Sequence, residues 1–366
     1  MRATGFGDSA VPMTDSRSVE VIVVGGGQAA LAAGYYLRRA GIPFVILDSS
    51  HKPGGAWQQG WDSLRLFSPA EYSPLPGWWM PQQEGEKYPT AQHVVKYLGD
   101  YERRYSLPVV RSVQVESVRR DRDGFAVETN AGNWRAQYVI SATGTWGAPF
   151  LPDCPGREEF TGEQLHTVDY RSPEPFRDKR VVVVGGGNSA TQILAEVSLV
   201  ADTKWVTQRE PRFMPDDVDG RVLFDVASQR EAAQRAGITA PGVAALGDVV
   251  MVPSVLAARD RGVLVAAPMF ERLTPTGIAW ADGTHWPCDA IIWCTGFQPV
   301  LDHLAPLGLT YEHGRPKTIQ GTRSADQPAL HLLGYGDWTG TASATIVGAG
   351  RTAKQVVAEI VYDMQQ

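Results

Sequence analysis

Cysteine is scarce in this chain: Cys154, Cys288 and Cys294 are the only three in 366 residues, and no Cys-x-x-Cys pair occurs. An odd number without that spacing indicates neither a disulfide framework nor a redox-active dithiol, and it does not fit a zinc site, so no metal is expected. Cys294, at the end of the apolar run 290 to 294, reads as a buried small hydrophobe. Long apolar runs are missing too. No stretch approaches the ~20 residues of a membrane span, and residues 1 to 18 lack the charged-then-apolar layout of a signal peptide. The expectation is a flexible leader over 1 to 18 on a cytoplasmic protein without a membrane partner. Basic runs are absent and the net charge is −6, which argues against nucleic-acid binding and leaves small molecules as partners, with a homodimer open.

Glycine, by contrast, is plentiful and placed. Val21-Ile-Val-Val-Gly-Gly-Gly-Gln-Ala-Ala30 recurs 160 residues later as Val181-Val-Val-Val-Gly-Gly-Gly-Asn-Ser-Ala190. Each loop joins a β-branched run to an amphipathic one. Gly25 and Gly185 permit the tight turn, Gly27 and Gly187 let backbone approach a pyrophosphate, and Ala30 and Ala190 let helix and strand pack closely. The phosphates then face free N–H groups at a helix N-terminus. Two matches in the correct context predict two dinucleotide cradles and electrons passing between two cofactors.

The rest of the chain orders itself around the cradles. A helix over 28 to 40 and a strand over 44 to 48 complete the first βαβ unit. Thr90 is placed to cap a helix over 91 to 105, and strands 113–117, 124–129 and 134–141 form a meander divided by a charged turn. The proline-rich link 148–155 is the first domain crossing. A second unit follows with a helix over 188 to 199 and a strand over 204 to 207; the run 291–299 returns the chain, and a helix from about Ser343 rejoins the first domain. The predicted fold is α/β, with two Rossmann-like dinucleotide-binding domains. Residues 19–155 and 297–366 make the first, and 156–296 are inserted as the second.

The cradles differ where nucleotides are told apart. Asp48 lies 23 residues after Gly25, where an acid accepts both ribose hydroxyls. Gln208 stands at the same offset from Gly185 and Arg209 follows, a pair that accepts a ribose 2′-phosphate which a carboxylate would repel. The second cradle should therefore take NADPH and tolerate NADH.

Phe160-Thr-Gly162-Glu-Gln-Leu-His166-Thr-Val-Asp-Tyr170 fits Phe-x-Gly-x-x-x-His-x-x-x-Tyr, and Pro53-Gly-Gly-Ala-Trp57 follows Asp48. These resemble the fingerprint and the Gly-Gly-x-Trp element of the flavin-containing monooxygenases. The resemblance runs from Val21 to about Ala358 and is nearest to short bacterial members, some found in arsenic-resistance operons, with flanks such as Leu66-Phe-Ser-Pro-Ala70 and Gly334-Tyr-Gly-Asp-Trp338. Tyr170 stands where Baeyer-Villiger relatives usually place Trp, which points to the monooxygenase branch proper.

The resemblance implies a glutathione-reductase-like FAD/NAD(P) fold and NAD(P)H- and O₂-dependent oxygenation of soft nucleophiles such as sulfides, amines or arsenicals, or of ketones, through a C4a-hydroperoxyflavin. The alternative is an FAD-dependent NAD(P)H reductase or oxidase without oxygen insertion. No protein nucleophile is needed, and no catalytic residue is assigned. Around FAD the resemblance implies Gly25, Gly27, Gln28, Ala29, Asp48, Ser49, Gly55, Trp57, Ser68, Val115, Ala142, Thr143, Gly144, Asp337, Ser343 and Ala344. Around NAD(P)H it implies Gly185, Gly187, Asn188, Ser189, Ala190, Gln208, Arg209, Thr295 and Gly296. His166 is expected to pack the interdomain linker. An Asn common in the family after the position of Ser68 is Pro69 here, and Asp216, Asp217 and Asp219 read as a solvated turn. Trp57, Trp61, Trp78 and Trp79 fall within 23 residues, and this aromatic, proline-rich loop is expected to wall a dry flavin pocket.

Overall fold

A computed structural model describes residues 17–235 and 246–366, so most of the expected leader lies outside the described residues. The run of β-branched residues at Val21–Val24 is buried from end to end, as a parallel strand covered on both faces must be. It forms the end of β1 (Arg17–Val24), with α1 (Gln28–Arg39) and β2 (Phe44–Asp48) completing the first βαβ unit. α2 (Ala91–Arg104) starts where Thr90 accepts a hydrogen bond from the His93 N–H. β3 (Val109–Arg111) follows, then the meander of β4 (Val115–Asp121), β5 (Gly124–Thr129) and β6 (Trp134–Ser141). β4 runs further toward the hairpin than its sequence suggested, because its charged side chains point outward and find partners on the neighbouring strands: Arg119 pairs with Glu128 of β5, and Asp121 with Arg135 of β6.

The chain then enters a second sheet. It contains β7 (Glu163–His166), β8 (Arg180–Val184), β9 (Asp202–Thr207), β10 (Ala266–Pro268) and β14 (Ala290–Trp293), in the all-parallel order β10-β9-β8-β14-β7. α3 (Asn188–Val197) connects β8 to β9. Between β9 and β10 lie α4 (Gly220–Arg235) and α5 (Pro253–Asp260); a small antiparallel sheet of β11 (Arg272–Thr274), β12 (Gly277–Ala279) and β13 (His285–Pro287) precedes β14.

After the hairpin of β15 (Tyr311–Glu312) and β16 (Arg315–Pro316), the chain rejoins the first sheet through β17 (Thr318–Ile319), β18 (Arg323–Ser324) and β19 (Leu330–Leu332). That sheet has the order β17-β18-β19-β6-β1-β2-β3, with β5 pairing β6 and β4 pairing β5. α6 (Ile346–Asp363) packs on α1, the small residues Ala29, Ala32, Ala33, Ala349 and Ala353 letting the two approach. α6 begins three residues later than expected. Ser343 is bonded into the preceding turn, and Thr345 caps the helix instead, accepting from the Gly348 N–H at 3.0 Å. Among the described residues no helix is long and apolar enough to cross a membrane.

Candidate functional site

Each glycine triplet solves the same steric problem. Gly25 has φ +102° and its N–H reaches the Leu47 carbonyl at 2.8 Å; a Cβ there would lie 2.5 Å from the Ala142 carbonyl at the end of β6. Gly185 has φ +137°, its N–H reaches Val206, and a Cβ would lie 2.3 Å from the Cys294 carbonyl at the end of β14. Both positions therefore require glycine by backbone conformation and by close approach. Gly27 and Gly187 are different, since a Cβ on Gly27 would meet only Gly55 and one on Gly187 would meet nothing.

Those two glycines are the N-caps of α1 and α3, and neither helix start receives a side-chain cap, whereas α2 and α6 each carry a threonine cap. Uncapped N–H groups behind an open glycine fit a phosphate-bearing ligand, which supplies the missing acceptors. Both cradles thus fit a dinucleotide.

Around the first cradle several expected residues converge. The Trp57 indole N–H donates to Gln28 at 2.8 Å, and Gln28 donates to the Ala344 carbonyl at 2.5 Å, tying the loop after β2 and the start of α6 to α1. Ala29 is buried in that packing. Gly55, with φ +54°, lies against Gly27. Thr143 donates to the Val300 carbonyl at 2.6 Å, and Gly144, with φ +68°, accepts from the Val300 N–H. Asp337 accepts from the Ala342 N–H at 3.0 Å, while Ser49 is exposed beside Asp48 and Val115 is buried in the sheet's core.

Other placements differ from the sequence expectation. Asp48 is 5% exposed and is shared by Arg111, whose other guanidinium nitrogen holds Glu102; neither partner was foreseen. Burial raises the Asp48 carboxyl above its ordinary value even though the Arg111 charge opposes that. Ser343 is fully buried, donating to the Gly336 carbonyl at 2.7 Å and paired with Thr339, so its hydroxyl is spent inside the turn. Ser68 bonds Ser73 at 2.8 Å and lies under Gly220, where a Cβ would come within 2.4 Å of its own; the start of α4 thus covers it. Asp219, read as solvated, is 8% exposed and holds Arg221 and Tyr88. Its apolar neighbours explain this, because Val218 and Leu223 dock α4 on Phe67.

The four tryptophans do not form one wall. Trp57 joins the cradle, Trp61 meets Tyr170 at 6.4 Å in the core of the second sheet, Trp78 packs on Tyr97 at 5.2 Å, and Trp79 is 69% exposed. A run of aromatic residues reveals apolar demand, not direction.

The second cradle is anchored by Asn188, which accepts from the Val250 N–H at 2.8 Å and donates to the Asp248 carbonyl at 3.3 Å. Ser189 follows it in the first turn of α3, and Ala190 is buried against β8. Gln208 and Arg209 are exposed just past the end of β9. Thr295 donates to the Phe150 carbonyl, and Gly296 accepts from the Phe150 N–H at 2.9 Å, pairing the two interdomain crossings. His166 secures them. Its ring meets Phe297 edge-on at 4.9 Å, and Nε2 donates to the Gly296 carbonyl at 3.0 Å while Nδ1 accepts from the Val168 N–H. Burial lowers its pKa, so the ring is neutral and both nitrogens are engaged. The thiols are inert for a like reason, burial pushing Cys288 and Cys294 up to about 12.

Two strand-loop-helix cradles of one design, joined by paired crossings, define a flavoprotein oxidoreductase that carries two dinucleotides. Residues 22–243 match the family model described as pyridine nucleotide-disulphide oxidoreductase. The flavin-containing monooxygenase from Stenotrophomonas maltophilia is 48% identical, with a TM-score of 0.87, covering 95% of this chain and 99% of that one. An oxidoreductase of Geobacillus kaustophilus, CzcO-like, is 29% identical over 346 residues, 93% of this chain and 98% of its own. Cyclohexanone monooxygenase shares the fold at 16% identity, TM-score 0.71, with 96% and 88% covered. The chain belongs to the pyridine nucleotide-disulphide oxidoreductase family, among its flavin-containing monooxygenases, and is an FAD-dependent NAD(P)H monooxygenase.

Proposed function

We propose that this enzyme transfers one oxygen atom from O₂ to a soft nucleophile, a small apolar or aromatic thioether before an amine or an arsenical, and to any of these before a ketone, which would react as an electrophile. FAD lies in residues 19–155 and 297–366, and NAD(P)H in 156–296. The observation that carries this reading is the state of the two fingerprint side chains at the crossings, neither of which is prepared to take a proton from a substrate. His166 is neutral with both nitrogens committed, and burial raises the Tyr170 hydroxyl far above its usual range. An acceptor that attacks oxygen with an existing lone pair calls on neither of them, because it need not be deprotonated first. A thioether has such a lone pair at every pH. FAD supplies the redox chemistry when bound. The chain's own part is to hold it, through the cradle, Gln28, Trp57 and Asp337, and to close the crossings against water.

Overall, thioether, O₂, NAD(P)H and a proton give sulfoxide, water and NAD(P)⁺. FAD-loaded protein supplied with NADPH and methyl phenyl sulfide in air should form sulfoxide in step with NADPH consumed. Equimolar H₂O₂ without sulfoxide, amine oxide or ester from the matching substrates would instead establish an oxidase or reductase.

A further inference from the structure

The second cradle holds a charge that its sequence pattern did not suggest. Asp248 stands between two arginines just beyond β9. Arg212 grips it with both prongs of its guanidinium, at 3.0 and 2.7 Å, and Arg209 lies 3.6 Å from the same carboxylate. The position is built rather than accidental. The Asp248 N–H donates to the Arg212 carbonyl at 2.8 Å, its carbonyl accepts from Asn188 at 3.3 Å, and Asn188 in turn accepts from the Val250 N–H. Asn188 is the first residue of α3, directly after the open glycine at the phosphate end of the cradle. The carboxylate is thus tethered to the helix start that receives the nucleotide.

We propose that Asp248 is a specificity-determining residue of this cradle: it occupies Arg212 and offsets Arg209 where an adenosine ribose 2′-phosphate would sit, so that NADH is accepted beside NADPH. This rests on reading residues 185–209 as the nicotinamide-nucleotide cradle. A 2′-phosphate carries up to about two negative charges, and bidentate arginine contacts are what would favour it. Two guanidiniums alone would present two positive charges to it. With Asp248 between them the sum is one, and the better-placed fork is already filled. Hydrogen bonds from Arg212 hold the Asp248 carboxyl below the usual range, with Arg209 adding to the effect, so the offset persists at neutral pH.

Titration calorimetry on the FAD-loaded full chain, with adenosine 2′,5′-bisphosphate and adenosine 5′-monophosphate as probes, reads the effect without turnover. Asp248→Asn keeps the shape and the backbone bonds, and should tighten the bisphosphate roughly fivefold relative to the monophosphate, a gain that shrinks in high salt. Adding Arg212→Ala to that variant should remove most of the gain. An unchanged or reduced ratio in Asp248→Asn, with the melting temperature retained, overturns the proposal. Should that variant not fold, Arg212→Ala alone decides: the carboxylate is then left to Arg209 and the ratio should fall, and an unchanged or increased ratio overturns it. Wild-type protein that binds neither probe would overturn the cradle reading and this proposal together, whereas a normal affinity with an unaltered ratio would overturn the role of Asp248 alone.

Discussion

Asp48 must stay charged at a place that resists charge. Its carboxylate is nearly sealed at the end of β2, and Glu102 lies close enough to repel it, so Arg111 between them is what makes two acids tolerable. Replacing Arg111 with Met removes the cation and leaves both carboxylates, which should cost about 3 kcal/mol at pH 7 and weaken FAD retention. The pH dependence has a definite sign. Burial already raises both acids above their unfolded values, and losing Arg111 raises them further. A raised carboxyl is most compatible with folding below its unfolded pKa and loses that advantage as pH rises through the folded value. The deficit of Arg111→Met should therefore narrow between pH 7 and pH 5 in urea unfolding; a deficit that widens would show that Arg111 acts by packing alone. Arg209 is a lesser lever, 78% exposed in its side chain, and Arg209→Ala should raise KM for NADPH only a fewfold beyond its effect on NADH in steady-state kinetics.

Between elements, a buried polar knot fastens the end of β6 to the segments that return from the second sheet. Ser141 bonds His303 at 3.0 Å and Tyr335 at 2.6 Å, and Tyr335 also bonds the Thr143 hydroxyl at 2.7 Å. Burial lowers His303 to about 4, so it folds neutral; His331 on β19 falls to about 3, and its 3.7 Å approach to Glu359 is then no ion pair. A depressed histidine contributes stability that is complete above its unfolded pKa near 6.5 and is lost as pH falls toward the folded value. At pH 5 each should have lost about 2 kcal/mol. His303→Gln should remove one such share of the pH 7 to pH 5 difference, and a slope equal to that of wild type would refute the assignment.

The elements of the two cradles, the meander and α2 were legible because their signals are local: buried β-branched runs, glycine triplets and a threonine cap are read within a dozen residues, whereas α4, α5 and the short strands β10 to β13 carry no such signal. The partners of Asp48 were not. Arg111 is 63 residues away, and it arrives only because β3 joins β2 in the register that sets Asp48 opposite Arg111. Ser343 was misplaced for a related reason. A serine before a small-residue run fits a cap or a turn equally well, and the difference is made by Ala342 adopting φ +56°.

Across the whole molecule the two sheets are linked by a pair of crossings, with side chains stitching the loop after β2 to the second sheet. Arg171 donates to the Gln59 carbonyl at 3.0 Å, Trp146 donates to the Gln59 side chain at 2.7 Å, and Ser63 donates to Glu196 at 2.8 Å. At the crossings Phe297 is stacked on Trp146, with ring centres 4.9 Å apart, and meets His166 on its edge. Reduction of the flavin by a nucleotide held in the other cradle needs both bound groups in register, and a small error in that register is costly. Phe297→Ala removes both ring contacts while leaving the glycine loops untouched, so each cofactor should still bind. Stability should fall by about 1 to 3 kcal/mol, as for loss of paired aromatic contacts at a partly exposed ring. The telling measurement is coupling. NADPH oxidation should slow severalfold, and a larger share of the electrons should leave as H₂O₂. A variant that melts earlier yet reduces FAD at the wild-type rate and with wild-type coupling would show that Phe297 only fills space between the crossings, and that the register is set by the stitches at Gln59 and Ser63.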